Sequence, residues 1–180
     1  MANIRQIVRR LAGTEAAEIA EVAVVLPLVF MLLLGIVWFG RAFNIYSTIT
    51  QAAQQGAITA ARPTCAACPG GDTFPSDATV TGVVEGVMKA SSLDTTQILV
   101  SPNPAAPVFC ANPPNVCDTA SDNVKVCRNV LLNPPAGGGQ PAQCGTVVSF
   151  QFPFKFYLPF TSLNMQQITL SAQAQSRMEN

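Results

Sequence analysis

The chain has 180 residues, with ten basic and ten acidic side chains, no histidine and a formal charge of zero. Charged residues are 11% of it, against roughly 25% in ordinary soluble domains. This argues against a nucleic-acid binder, which needs a basic face, and the lack of histidine excludes Ser/His/Asp and Cys/His catalysis. No cofactor is implied, and the length suits one domain plus an appendage.

In chain order the first feature is a basic flank, Arg5, Arg9 and Arg10, followed by an uncharged run from Val22 to Gly40. Nineteen residues make about 28 Å of helix at ~1.5 Å per residue, close to the ~30 Å hydrocarbon core of a bilayer. A cleaved secretory signal would have a shorter apolar core of roughly 7–15 residues and a small-residue cleavage site. Here the run ends in Trp38, Phe39, Gly40 and Arg41 and continues into a helical pattern, so it reads as a retained anchor with Trp38 and Arg41 at the interface. Basic residues before the run and a single Arg41 after it predict one pass, N-terminus in the cytoplasm and the rest exported. Three carboxylates, Glu15, Glu18 and Glu21, stand at the entrance to the run. For Glu15 the first turn of a helix, favoured by its dipole, is explanation enough.

Beyond Arg41, residues Ala42, Tyr46, Ile49, Ala53, Gly56 and Ala60 recur at helical spacing, a stripe of mostly small side chains. Arg62 and Pro63 end the helix. Pro27 can kink it, as membrane helices tolerate. A Pro/Gly/Cys loop covers 63–77, and a short helix follows, capped by Ser76 or Asp77, with Val80, Val83, Val84, Val87 and Met88 on one face. "TTQILVS" reads as a strand, 102–122 and 133–143 as loops, and "NVKVCRNVLL" as a further strand.

The clearest β pattern closes the chain. Val148, Phe150, Phe152, Phe154 and Phe156 alternate with Ser149, Gln151, Pro153 and Lys155. Ile168, Leu170, Ala172 and Ala174 alternate with Thr169, Ser171, Gln173 and Gln175. An antiparallel hairpin is expected, with its apolar face on the small-residue stripe of the long helix and Pro153 at an edge or bulge. The predicted fold is therefore α+β: a long N-terminal transmembrane and amphipathic helix docked on a small antiparallel-sheet domain. The predicted organisation is a basic leader at 1–16, the long helix at 17–62 with its span at about 22–40, and an extracytoplasmic domain at 63–180.

All six cysteines, Cys65, Cys68, Cys110, Cys117, Cys127 and Cys144, follow the apolar run. An even number on the exported side reads as disulfides, with fifteen pairings open. Cys65 and Cys68 form a CxxC between Pro63 and Pro69 with no βαβ pattern around it, so two structural half-cystines fit better than a redox pair. No metal site is expected without histidine or a second CxxC.

Three stretches resemble the TadE-like pseudopilins of the Tad (tight adherence, Flp) pilus system. They are "AEVAVVLPLVFMLLLGIVWFGRAFNIYSTIT", "QAAQQGAITAA" and the tail "VVSFQFPFKFYLPFTSLNMQQITLSAQAQSRMEN", about half the chain. The resemblance implies a pilin-like fold and a non-enzymatic minor pilin that supports or primes pilus assembly at the bacterial inner membrane. It implies as partners the lipid bilayer, other pilins or pseudopilins through the N-terminal helix, a prepilin-type peptidase and the Tad assembly platform. It also implies removal of a leader, in one of two registers. A cut between Gly13 and Thr14 places Glu18 at the fifth mature position, whereas a cut between Ala16 and Ala17 places Glu21 there, six residues before Pro27. In either register the glutamate would pair with the new amino group of a neighbouring subunit. The competing reading is an anchored envelope protein whose Cys-rich loops bind a surface or carbohydrate, and a more distant one is a thiol–disulfide enzyme using Cys65 and Cys68.

Overall fold

The structure, a computed structural model, describes residues 14–64, 73–102, 107–110, 116–119, 122–133, 141–155 and 167–178, and for residues 14–18 the helical backbone alone. Helix α1 spans Thr14–Ala61 and passes through Pro27 without a break in its assignment. It stops two residues before Pro63, which cannot continue it. The chain divides into two compact units, Met1–Phe43 and Asn44–Asn180. In the first, the apolar side chains of α1 face outward, from Ile19 and Val22 through Phe39 and Phe43.

In the second unit, α2 spans Asp77–Ala90. The Ser76 hydroxyl accepts from the Thr79 N–H at 3.3 Å, Asp77 stands in the positive first turn and Lys89 in the last, so the ends suit the helix dipole. The expected face is narrower than the valine pattern suggested. Val80, Val84 and Met88 are fully buried with Thr81, while Val83 and Val87 are half-buried.

Four antiparallel strands follow in spatial order β1 (Cys117–Thr119), β2 (Lys125–Leu131), β3 (Cys144–Lys155) and β4 (Gln167–Arg177). One face carries Val126, Val148, Phe150, Phe152, Ala172 and Ala174, packed with Ile49, Ala52, Ala53, Ala57 and Ala60 of α1 and with Val80, Val84 and Met88 of α2. The small residues let the sheet and α2 come close to the α1 backbone, and the aromatic side chains fill the space. Burying each large side chain contributes about 1.5–3 kcal/mol. A second cluster holds Cys127, Val130 and Val147 with Phe109, Cys117 and Leu132. The first half of β3 is therefore buried on both faces, Ser149 included, where simple alternation had predicted a polar side.

Several expectations change. Tyr46 is exposed, and the buried stripe runs from half-buried Ile45 through Ile49, Ala52, Ala53, Gly56, Ala57 and Ala60, because an α-helix presents a face two side chains wide. "TTQILVS" forms a 3-10 turn at Thr95–Gln97 and a single bridge, Leu99 to Gln151, rather than a strand. Asp94 caps that turn, accepting from the Thr96 N–H at 3.0 Å, so the backbone bends where a strand would stay extended. The supposed loop at 102–122 contains β1 and, through Phe109, a bridge to Val130.

Pro153 is not at a bulge, because the pairing of β3 with β4 is unbroken from Gly145–Arg177 to Lys155–Gln167, but it does stand at a local edge of β3, beyond the reach of β2. The hydrogen-bond parity explains it. Gln151 exchanges backbone bonds with Leu99 at 2.8 and 2.9 Å, so odd-numbered residues of β3 point their backbone away from β4. β2 pairs no further along β3 than Ser149. The nitrogen of Pro153 thus faces a side where no ladder bond is lost.

Candidate functional site

The residues with functional potential fall on α1 and on the devices that hold its last turns. Glu18 and Glu21 are three residues apart on one helix and so share a face. The Glu21 side chain is exposed. Pro27 lies inside the same helix, six residues beyond Glu21. Of the residues proposed for leader removal, Thr14, Ala16 and Ala17 are in the first turn of α1 as backbone, and Gly13 lies outside the described residues. Further on, the Arg41 guanidinium sits 5.8 Å from the centroid of the Trp38 ring. A cation over an indole at helical i, i+3 spacing makes a compact amphipathic pair, suited to the boundary between lipid and water. α1 is long and apolar enough to cross a membrane: its most apolar 18-residue window has a mean hydropathy of 2.8, and none of that window is buried.

From Asn44 onward α1 serves as a core element. Gly56 is a point of close approach: a β-carbon there would stand 2.7 Å from Val84 Cγ2 and 3.4 Å from Val148 Cγ1. The end of α1 is held by Arg128 of β2. Its Nη1 donates to the Ala60 carbonyl at 3.0 Å, and its Nη2 donates to the Pro75 carbonyl and to Asp77 Oδ1, both at 2.7 Å. One guanidinium therefore joins the α1 C-terminus, the approach to α2 and the first residue of α2. Its planar fork of five donors permits this, where an ammonium would reach fewer acceptors in fixed geometry. Sequence reading missed this residue. The available signal was an arginine in the interior of a valine-rich strand, "KVCRNVL".

A bulge aims that side chain. Between Cys127–Val147 and Val130–Gly145 the register shifts by one residue. Asn129 takes the left-handed conformation, φ 58°, which asparagine tolerates better than most side chains.

Two disulfides close the other face. Cys117–Cys127 joins directly opposed residues of β1 and β2, with Cα atoms 4.0 Å apart. Cys110–Cys144 ties segment 107–110 to the start of β3 across 34 residues of sequence. That segment is itself paired with β2: the Cys110 N–H donates to the Asn129 carbonyl and the Leu131 N–H to the Val108 carbonyl. The other two expected half-cystines, Cys65 and Cys68, lie outside the described residues, as do Phe156 and the link between β3 and β4.

Against this geometry the comparison with protein families is informative. The family model described as TadE-like protein matches residues 16–57. This segment is TadE-like. The match begins in the first turns of α1, crosses the exposed apolar stretch and ends among the buried small residues, one position past Gly56. The matched segment contains the stretch that is long and apolar enough to cross a membrane. Neither the curated proteins nor the solved structures gave a match.

Proposed function

We infer that this chain is a minor pilin-like (pseudopilin) protein that supports or primes assembly of a Tad/Flp-type adhesive pilus. The observation that carries the reading is the TadE-like match over a single helix that is exposed and apolar first, then small-sided and buried. In this reading the chain is a single-pass protein of the bacterial inner membrane, with a cytoplasmic leader at 1–16 and a stapled domain at 63–180 outside. The disulfides Cys110–Cys144 and Cys117–Cys127 agree with an oxidising compartment for that domain.

The helix would work with its sister helices through charge. A carboxylate in lipid costs several kcal/mol unless paired. A prepilin-type peptidase cutting before Thr14 or before Ala17 would create an amine, and Glu18 in the first register or Glu21 in the second would neutralise that amine on a neighbouring subunit. The stagger that satisfies the pair would then be the one in which subunits meet the assembly platform. Deleting this chain in its own bacterium tests the role: surface pili should fall sharply and return with the wild-type copy. Unchanged piliation would contradict it.

A further inference from the structure

Within the second unit, the late part of α1 and strand β3 run in opposite directions, and two contacts fix their relative level. A β-carbon at Gly56 would lie 3.4 Å from Val148 Cγ1. Arg128, between the Cys127–Val147 and Val130–Gly145 pairs, reaches the Ala60 carbonyl at 3.0 Å. Stepping back along α1 from Ala60 to Gly56 is therefore a step along β3 away from Gly145 and toward Phe152. Continued in that direction, Asn44 is about 18 Å from Gly56 at ~1.5 Å per residue, and Lys155 is about 23 Å from Val148 at ~3.3 Å per residue. Lys155 thus reaches the level of Asn44 even where strand and helix cross at about 40°. The packing of Ile45, Phe152 and Leu170 into one core agrees with this order.

The Asn44 end of the unit therefore also holds the Lys155–Gln167 end of β3 and β4. Tyr46 is 48% exposed there and Ile168 41%, and the Lys155 side chain is exposed as well. An aromatic hydroxyl, a cation on a flexible stem and a branched aliphatic are the kinds of side chain that sit well at a lipid–water boundary. Neither β3 nor β4 contains an acidic residue, and in sequence the link 156–166 between them carries no charge. Chain length sets how far this end can be from the anchor. Four residues separate Gly40, the last of the uncharged run, from Asn44, a reach of about 14 Å at most.

We propose that this end of the second unit rests on the bilayer surface, with Lys155 against the phosphates of anionic phospholipids and Tyr46 and Ile168 at the margin of the acyl layer. The proposal rests on the single-pass anchoring inferred above and adds to it a second, reversible attachment made by the folded domain. Its strength comes from one cation on an anionic leaflet, so it depends on lipid charge, whereas the anchor depends on apolar length.

The test uses the full chain in vesicles of phosphatidylcholine and phosphatidylglycerol, with part of the lipid brominated near the headgroup end of its acyl chains to quench tryptophan fluorescence. Trp38 is the only tryptophan in the chain, so the wild type reports on the anchor itself. Trp38→Phe with Ile168→Trp moves the reporter to the proposed contact. Trp38→Phe with Gln175→Trp moves it about 24 Å along β4, to an exposed position opposite Val147. Flotation with the vesicles checks that each variant keeps its anchor. Quenching is expected at positions 38 and 168 and not at 175. Adding Lys155→Gln to the position-168 reporter should shift the balance of docked and free domain about fivefold toward free, and so should leaving out phosphatidylglycerol. Circular dichroism should not change, because the Lys155 side chain is exposed. Quenching at 38 without quenching at 168 would overturn the proposal and leave the anchor standing. Equal quenching at 168 and 175 would also overturn it, since the domain would then lie on its side. Quenching at 168 that ignores both Lys155→Gln and lipid charge would overturn the contact with anionic phosphates. No quenching at 38 would overturn the anchoring, and the contact with it.

Discussion

Gly56 offers a quantitative test of how closely α1 is held. Replacing glycine by alanine inside a helix ordinarily stabilises by about 1 kcal/mol. Here the new methyl would stand 2.7 Å from Val84 Cγ2, and both Val84 and Val148 are fully buried, so neither can swing into solvent. Overpacking of this kind costs about 1–3 kcal/mol, so Gly56→Ala should lose roughly 1 kcal/mol net, the reverse of the helix-propensity expectation. Val84→Ala alone removes two methyl groups and leaves a void, at a cost of about 2 kcal/mol. In the double variant the methyl introduced at Gly56 occupies the vacated space and the propensity gain returns, leaving a loss of about 1 kcal/mol rather than the additive ~3. The coupling of about 2 kcal/mol is the measured quantity. Urea unfolding of the full chain in micelles, followed by circular dichroism and analysed by linear extrapolation, would provide the four stabilities. Coupling within about 0.5 kcal/mol of zero would refute the contact. Gly145→Ala is a useful contrast, because its β-carbon would collide with the Ser176 carbonyl, a backbone atom that no side-chain truncation can relieve.

Arg128→Ala should cost about 2–3 kcal/mol in the same unfolding assay, because it strands Asp77 and frees two carbonyls, and Arg128→Lys should recover less than half of that. Replacing Cys110 and Cys144 together by alanine should cost about 4 kcal/mol and replacing Cys117 and Cys127 about 3 kcal/mol, following their loop lengths of 34 and 10 residues; equal losses would speak against the loop-length argument. The Asp94 carboxyl is held below the usual carboxylate range by the Thr96 hydroxyl first, then by the Gln97 amide and the Thr96 N–H. Its folded value lies below its unfolded one, so its contribution is complete above the unfolded value of ~3.9 and is lost as pH falls through the folded one. An NMR titration of the Thr96 amide should show that transition in wild type and lack it in Asp94→Asn.

Much of this architecture was legible because local patterns and tertiary packing agree. The aromatic alternation of β3, the small residues late in α1 and the Ser76 cap all ask for the structure they adopt. The errors have physical sources. Tyr46 fell on a one-residue-wide stripe, but helix faces are wider than that. "TTQILVS" has strand composition, yet the Asp94 side chain competes for the backbone and turns it. Pro153 does occupy a free margin, but of an inner strand, because β2 ends its pairing at Ser149, which no single segment reveals. Arg128 and the pairing of the cysteines depend on residues brought together across 51 or more and 34 positions, beyond the reach of periodicity. In the proposed reading Glu18 and Glu21 are rivals for one role, and the position of the cut would choose between them.

The proposed cut is also the most direct test of the account as a whole. N-terminal sequencing of the mature protein, isolated from membranes of a host that carries a prepilin-type peptidase, should give Thr14 or Ala17 as the first residue. Thr14 would assign the pairing carboxylate to Glu18, and Ala17 would assign it to Glu21. A chain that still begins at Met1 or Ala2 in that host would contradict the pilin-like function proposed for it.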